Sequence, residues 1–410
     1  MMNQECQDKD MYKGLSEQLF SVFMLLRLDQ RQDLNKTGKM YVYTINGNKY
    51  VIEDAEKTKT CISKDYNFIF DKTTGEFKRW GKDYKDNPEF SPVGPEIWDC
   101  EVTTSCKGVP NKKDGILQVC QFCYKSNTPY GKNLSFENFK KMVDSFPKTL
   151  GQIAFGADSQ ATSNPDLWKM MEYCKEIGVI PNITIANISD EVADNLKKYC
   201  GAVAVSRYEN KDICYDSVEK LATTRKMKQI NIHSMLSLQT FESCMETAKD
   251  MLTDKRLKDM NAIVFLGLKK QGRAKNNFDI VPFDKFEELI MFCLNNKINF
   301  GFDSCSACRF EKVVRDSKNI SEENKQKLIQ YSESCESGAY SFYTSIDSEY
   351  FPCSFTEGEK GWEKGVDMLN ISNFIEEIWY HPRNLDWRKR LMESKENGCR
   401  KCLSFPEINV

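Results

Sequence analysis

Histidine is almost missing from this 410-residue chain: His233 and His381 are the only two. That excludes a histidine-rich metal site and leaves a Ser-His-Asp hydrolase poorly supplied. Net charge is missing too, at −2, so no overall field draws the chain to nucleic acid or to an anionic membrane. No apolar run approaches the ~20 residues of a membrane-crossing helix. The opening MMNQECQDKDMYKG is polar and has no secretory signal, so a cytoplasmic protein is expected. Flavin, nicotinamide and ATP fingerprints are also absent. Cysteine, by contrast, is plentiful, with 17 residues. Without a secretory route these read as reduced thiols and metal ligands rather than a disulfide framework. The length and a 40% hydrophobic content suffice for a large core and two or three domains.

Taken in order, residues 14–28 space Leu15, Leu19, Val22, Phe23 and Leu26 as one helical face. Two hairpins follow, one about Asn46-Gly47 and one about Thr74-Gly75, completing an α+β module over residues 1–94. It carries no catalytic constellation and reads equally as structural support or as a recognition element. From residue 95 to 304 the pattern alternates. Strands are expected at 97–104, 151–155, 180–186, 201–206, 230–236, 261–268 and 298–304, with amphipathic helices between them. This βα order predicts an α/β fold with a parallel sheet, whose ligand sites lie at the strands' C-terminal ends.

The first strand leads into WDCEVTTSCKGVPNKKDGILQVCQFCY, which places Cys106, Cys120 and Cys123 on one loop. Three thiolates can hold an iron–sulfur cluster and leave one iron open to a ligand. A zinc site built from Cys100 or Cys106 with the Cys120/Cys123 pair is the other reading of these residues. A strand ending in Cys-x-aromatic-Cys resembles the radical S-adenosylmethionine (radical SAM) superfamily. The departure is the first gap, where thirteen residues replace the usual three. A longer loop costs little closure entropy.

The resemblance implies a partial (β/α)6 barrel and a [4Fe–4S] cluster on Cys106, Cys120 and Cys123. It also implies reductive cleavage of S-adenosylmethionine (SAM) to a 5′-deoxyadenosyl radical that abstracts a substrate hydrogen. Residue by residue, it assigns SAM contacts to Phe122, to Gly156 and Asp158 in place of a Gly-Gly-Glu, and to Asn187. Ser206 and Arg207 at the fourth strand end and Phe265 in the sixth complete that set. The KKQGRAK loop, with Lys269, Lys270, Arg273 and Lys275, suits an anionic substrate or a solvated surface.

The final hundred residues, 305–410, hold Cys305, Cys308, Cys335, Cys353, Cys399 and Cys402. Cys335, Ser348 and Cys353 follow the spacing of the SPASM and twitch extensions, with Ser348 where those have glycine. Cys399 and Cys402 supply the closing pair. The resemblance implies one auxiliary iron–sulfur cluster on Cys335, Cys353, Cys399 and Cys402, with Cys305 or Cys308 able to replace one of them. A zinc knuckle is the other reading of each Cys-x2-Cys pair. By the same analogy the substrate is a peptide or an amino-acid-containing small molecule, and an electron donor such as flavodoxin or ferredoxin is needed. Two alternatives stay open: a nucleotide- or nucleic-acid-modifying enzyme, and a zinc-stabilised binding protein.

Overall fold

The structure, a computed structural model, describes residues 38–409; the helix expected over 14–28 lies outside them. Five antiparallel strands come first: β1 (Lys39–Ile45), β2 (Asn48–Asp54), β3 (Thr58–Ile62), β4 (Asn67–Asp71) and β5 (Phe77–Trp80). Asn46 and Gly47 have φ of 49° and 80°, the two positive angles that a two-residue hairpin turn demands. The β4–β5 connection turns at Gly75, φ 77°.

This meander is not separate from the rest. Tyr50, Ile52, Tyr66, Phe68 and Phe70 share one core with Cys335, Ala339, Tyr340 and Leu391. Arg79 stacks over the Tyr340 ring at 3.4 Å and bonds the buried Glu96 at 2.7 Å. Lys59 Nζ donates to the Leu150 carbonyl at 2.6 Å, just ahead of the strand at 152–156. The meander therefore buttresses the cysteine-rich extension and the N-terminal end of the main sheet.

The main sheet begins with β6 (Ile97–Glu101), and a small ribbon follows, β7 (Val109–Pro110) with β8 (Leu117–Gln118). Strands and helices then alternate: α1 (Phe136–Ser145), β9 (Gln152–Gly156), α2 (Leu167–Glu176), β10 (Ile180–Ile185), α3 (Asp190–Tyr199) and β11 (Ala202–Arg207). After these come α4 (Lys211–Glu219), β12 (Ile230–Leu236), α5 (Phe241–Asp250), β13 (Ala262–Gly267), α6 (Phe283–Asn295) and β14 (Phe300–Phe302). Ser135 and Ser189 cap α1 and α3 by accepting the amides of Asn138 and Val192. Asn210 caps α4 by accepting the Asp212 amide.

The seven strands β6 and β9–β14 are all parallel, each pairing with the next in sequence. The sheet does not stop at residue 304. After α7 (Ala307–Asp316) and α8 (Glu322–Gln330), β15 (Ser341–Thr344) pairs in parallel with the free side of β6. β16 (Glu349–Phe351) and β17 (Val366–Asp367) then extend it antiparallel, and α9 (Pro382–Glu393) follows. Trp98 locks this junction. It stacks on Phe139 of α1 and on Phe342 of β15, at 5.3 and 6.1 Å, and its indole N–H bonds Thr344 at 2.9 Å. Among the described residues no helix is long and apolar enough to cross a membrane.

Candidate active site

The first strand delivers the thiol loop to the C-terminal end of the sheet. Its thirteen-residue gap folds on itself as the β7–β8 ribbon, so the insertion leaves Cys106 and Cys120 at its two feet. Gly108 makes that closure possible: φ is +83°, and a Cβ there would lie 1.8 Å from the Gln118 carbonyl. Ser159 Oγ and Gln160 Nε2 both donate to the Gly108 carbonyl, at 2.6 and 2.7 Å. Cys106, Cys120 and Cys123 all line one cavity of about 600 Å³. The Gly108 amide donates to Cys106 Sγ at 3.4 Å, and the Tyr208 ring stacks on Phe122 at 5.5 Å. Burial raises the Cys120 thiol to about 12, and a bound cation would favour its thiolate.

Three of the four basic residues of the KKQGRAK loop are engaged within the protein, and Lys275 stays exposed. Arg273 Nε donates to the Cys120 carbonyl at 2.7 Å, Nη1 to the Asn127 carbonyl at 2.9 Å, and the Arg273 amide to the Cys123 carbonyl at 3.1 Å. Gly272 lies so close that a Cβ would meet the Tyr124 carbonyl at 2.3 Å. Lys269 is buried against Asp303, and Lys270 pairs with Asp279 at 3.0 Å. This loop clamps the thiol loop from the opposite side.

Of the residues assigned to SAM, Phe122, Gly156 and Ser206 line the cavity, and four others do not. Asp158 is buried and accepts the amides of Gln160, Thr162 and Ser163, which use up its carboxylate in its own turn. Asn187 anchors its backbone to the Ser159 carbonyl at 3.1 Å. Phe265 is in the core beneath the helices, whereas its neighbours Leu266 and Gly267 line the cavity. Arg207 also departs from expectation. Ser206 faces the cavity, so Arg207 faces the helices, where it pairs with Glu246 of α5 at 3.0 Å. Cys100, the alternative first ligand, is buried in the core, although it borders the same cavity. Burial holds its thiol well above the ordinary range.

At the far end of the same cavity stand Cys305, Cys335 and Cys353. Cys402 stands beside Cys305, and Cys335 and Cys353 are near it as well. Arg400 ties this group together by donating to the Cys335 carbonyl at 2.7 Å. Cys399 is not brought to the set; it forms a disulfide with Cys308, tying the chain's end to α7. Sequence spacing cannot distinguish such pairings among six cysteines. Among the described residues no three histidine, cysteine or carboxylate side chains are gathered as one metal ion requires.

Three functional groups escaped the sequence reading. Asp99 projects from β6 into the cavity, where burial alone raises it to about 6. His233, on β12, lines the same wall and is lowered to about 4 by burial, against the pull of Asp303. Lys125, two residues beyond Cys123, pairs with Glu101 at 3.2 Å and with Glu357, and the Tyr343 hydroxyl donates to Glu101 at 2.9 Å. Strand periodicity around Asp99 was the available signal: a carboxylate flanked by buried Trp98 and Cys100 points to the opposite face.

No family model matches the sequence, and no curated protein matches it. Solved structures do. SuiB of Streptococcus suis superposes with a TM-score of 0.51 at 11% identity, over 76% of this chain and 77% of that one. The form of SuiB bound to S-adenosylmethionine gives 0.53 at 10% identity over the same shares. At that identity the likeness speaks for architecture: the chain shares the fold of SuiB, with three cysteines at the C-terminal end of its parallel sheet.

Proposed function

We propose that this chain is a radical SAM enzyme. The observation that carries the reading is the meeting of Cys106, Cys120 and Cys123 on one cavity wall at the C-terminal ends of parallel strands. A [4Fe–4S] cluster bound there supplies an open iron for SAM and the electron that cleaves it to a 5′-deoxyadenosyl radical. The chain's own part is to fix and shield that site. Arg273 and Gly272 hold the thiol loop, and Gly156 leaves bare backbone beside it. Ser206 offers a hydroxyl, while Asp99 and His233 face the remaining space. Cys305, Cys335, Cys353 and Cys402 hold an auxiliary cluster at the other end of the cavity. The substrate between them is a peptide or an amino-acid-containing molecule. Support for that class is the spacing from Cys335 to Cys353 and the likeness to SuiB. A nucleic-acid substrate keeps little of its one hint, since Lys269, Lys270 and Arg273 are engaged within the chain and only Lys275 of that cluster stays exposed.

Anaerobic reconstitution with iron and sulfide tests this. After reduction the chain is expected to convert SAM to 5′-deoxyadenosine, and changing Cys106, Cys120 and Cys123 together to Ala is expected to abolish it. Cys100→Ala should retain it. Loss in Cys100→Ala with retention in Cys106→Ala would show that the first ligand is misassigned.

A further inference from the structure

The ribbon between Cys106 and Cys120 presents a surface that the thiol loop itself does not require. Lys107, Lys112 and Lys113 are exposed on it, with Asp114 the one exposed carboxylate among them. None of the three lysines forms an ion pair among the described residues, whereas Lys132, Lys140 and Lys312 all do. At the ribbon's tip Ile116 and Leu117 are 62% and 43% exposed, and past the loop Tyr130 is 95% exposed. Apolar side chains rimmed by unpaired charge of one sign are the composition of a contact surface. Both feet of this ribbon are thiols that line the cavity, so a protein seated on it stands beside the thiol loop.

The chemistry of the proposed function, on which this inference rests, needs one electron from outside for each SAM cleaved. The carrier is oxidised by one electron; the sulfonium C–S bond breaks, giving methionine and the 5′-deoxyadenosyl radical. The sequence has no flavin or nicotinamide fingerprint to supply that electron. We propose that the 107–118 ribbon is the docking surface for an acidic one-electron carrier protein. Its lysines steer the carrier in, and Ile116 and Leu117 form the dry centre of the contact.

The test compares two reductants on the reconstituted full chain, wild type against a Lys107→Glu, Lys112→Glu, Lys113→Glu triple variant. Reduced flavodoxin is the acidic protein donor and dithionite the small one that needs no docking. The triple variant is expected to lose about tenfold or more of flavodoxin-driven SAM cleavage at low salt and none of the dithionite-driven rate. The wild-type flavodoxin rate should itself fall as salt is added. Unchanged flavodoxin-driven cleavage in the variant would overturn the proposal. So would an equal fall with both donors, because the lysines would then be holding the thiol loop. Failure of the wild-type chain to cleave SAM with either donor is a different result: it removes the cluster reading and the docking surface with it.

Discussion

Asp99 and Ser348 each occupy a position that physical chemistry would not choose for stability. Asp99 is raised to about 6 by burial, while an unfolded-chain aspartate titrates near ~3.9. The native form therefore keeps its proton over a range where the unfolded form has lost it. Stability contributed by this group falls as pH rises from about 4 to about 6, and the deficit is complete above that. Asp99→Asn should thus raise the melting temperature of the cofactor-free chain more at pH 7 than at pH 4.5. An equal gain at both would show that the carboxyl is solvated. Ser348, at the hairpin turn where SPASM-like extensions have glycine, adopts φ +61°, and its buried hydroxyl has no partner among the described residues. Ser348→Gly should stabilise the chain by about 1 kcal/mol in urea unfolding, because glycine adopts that conformation without the Cβ penalty. Arg273 is opposite in kind. Its charge-assisted bonds hold carbonyls of the thiol loop, so Arg273→Ala should lower reconstituted iron content, with Arg273→Lys recovering only part.

Among the elements, β6 decides the most, because it carries the thiol loop and pairs on both sides. Its Trp98–Phe342 stack joins the extension to the barrel. Phe342→Ala should cost about 3–5 kcal/mol, read from denaturant unfolding, as a buried phenylalanine truncation does. A cost below about 1 kcal/mol would mean that β15 is only loosely held. Strand β11 illustrates the limits of sequence reading. Strands buried on both faces are apolar throughout, so their composition does not say which residues face the cavity. Ser206 and Arg207 share one expectation, yet adjacent strand residues point oppositely, and the same alternation puts Phe265 in the core and its neighbour Leu266 on the cavity. Arg207→Ala should accordingly lower stability through the lost Glu246 pair and leave SAM binding within about twofold of wild type.

At the level of the molecule, the order of strands and helices from β6 to β14 was legible, because hydrophobic period and caps act locally. The three-cysteine loop was legible from residue type and spacing. What was not legible depends on contacts between distant segments. The sharing of one core by the meander and Tyr340, the parallel addition of β15 to β6, and the Cys308–Cys399 pairing are all of that kind. Asp158 misled for a local reason, since a short carboxylate next to a turn bonds the turn's own amides before it can reach a ligand. The proposed function requires that three cysteines, and no fourth, hold a four-iron cluster with one iron open to SAM. Electron paramagnetic resonance of the reduced, reconstituted chain with and without SAM addresses this directly, in a variant whose Cys305, Cys335, Cys353 and Cys402 are Ala so that only the first cluster reports. The account predicts a reduced-cluster signal that changes shape when SAM is added and is absent when Cys106, Cys120 and Cys123 are replaced as well. A signal indifferent to SAM, or a colourless protein holding zinc, would contradict it.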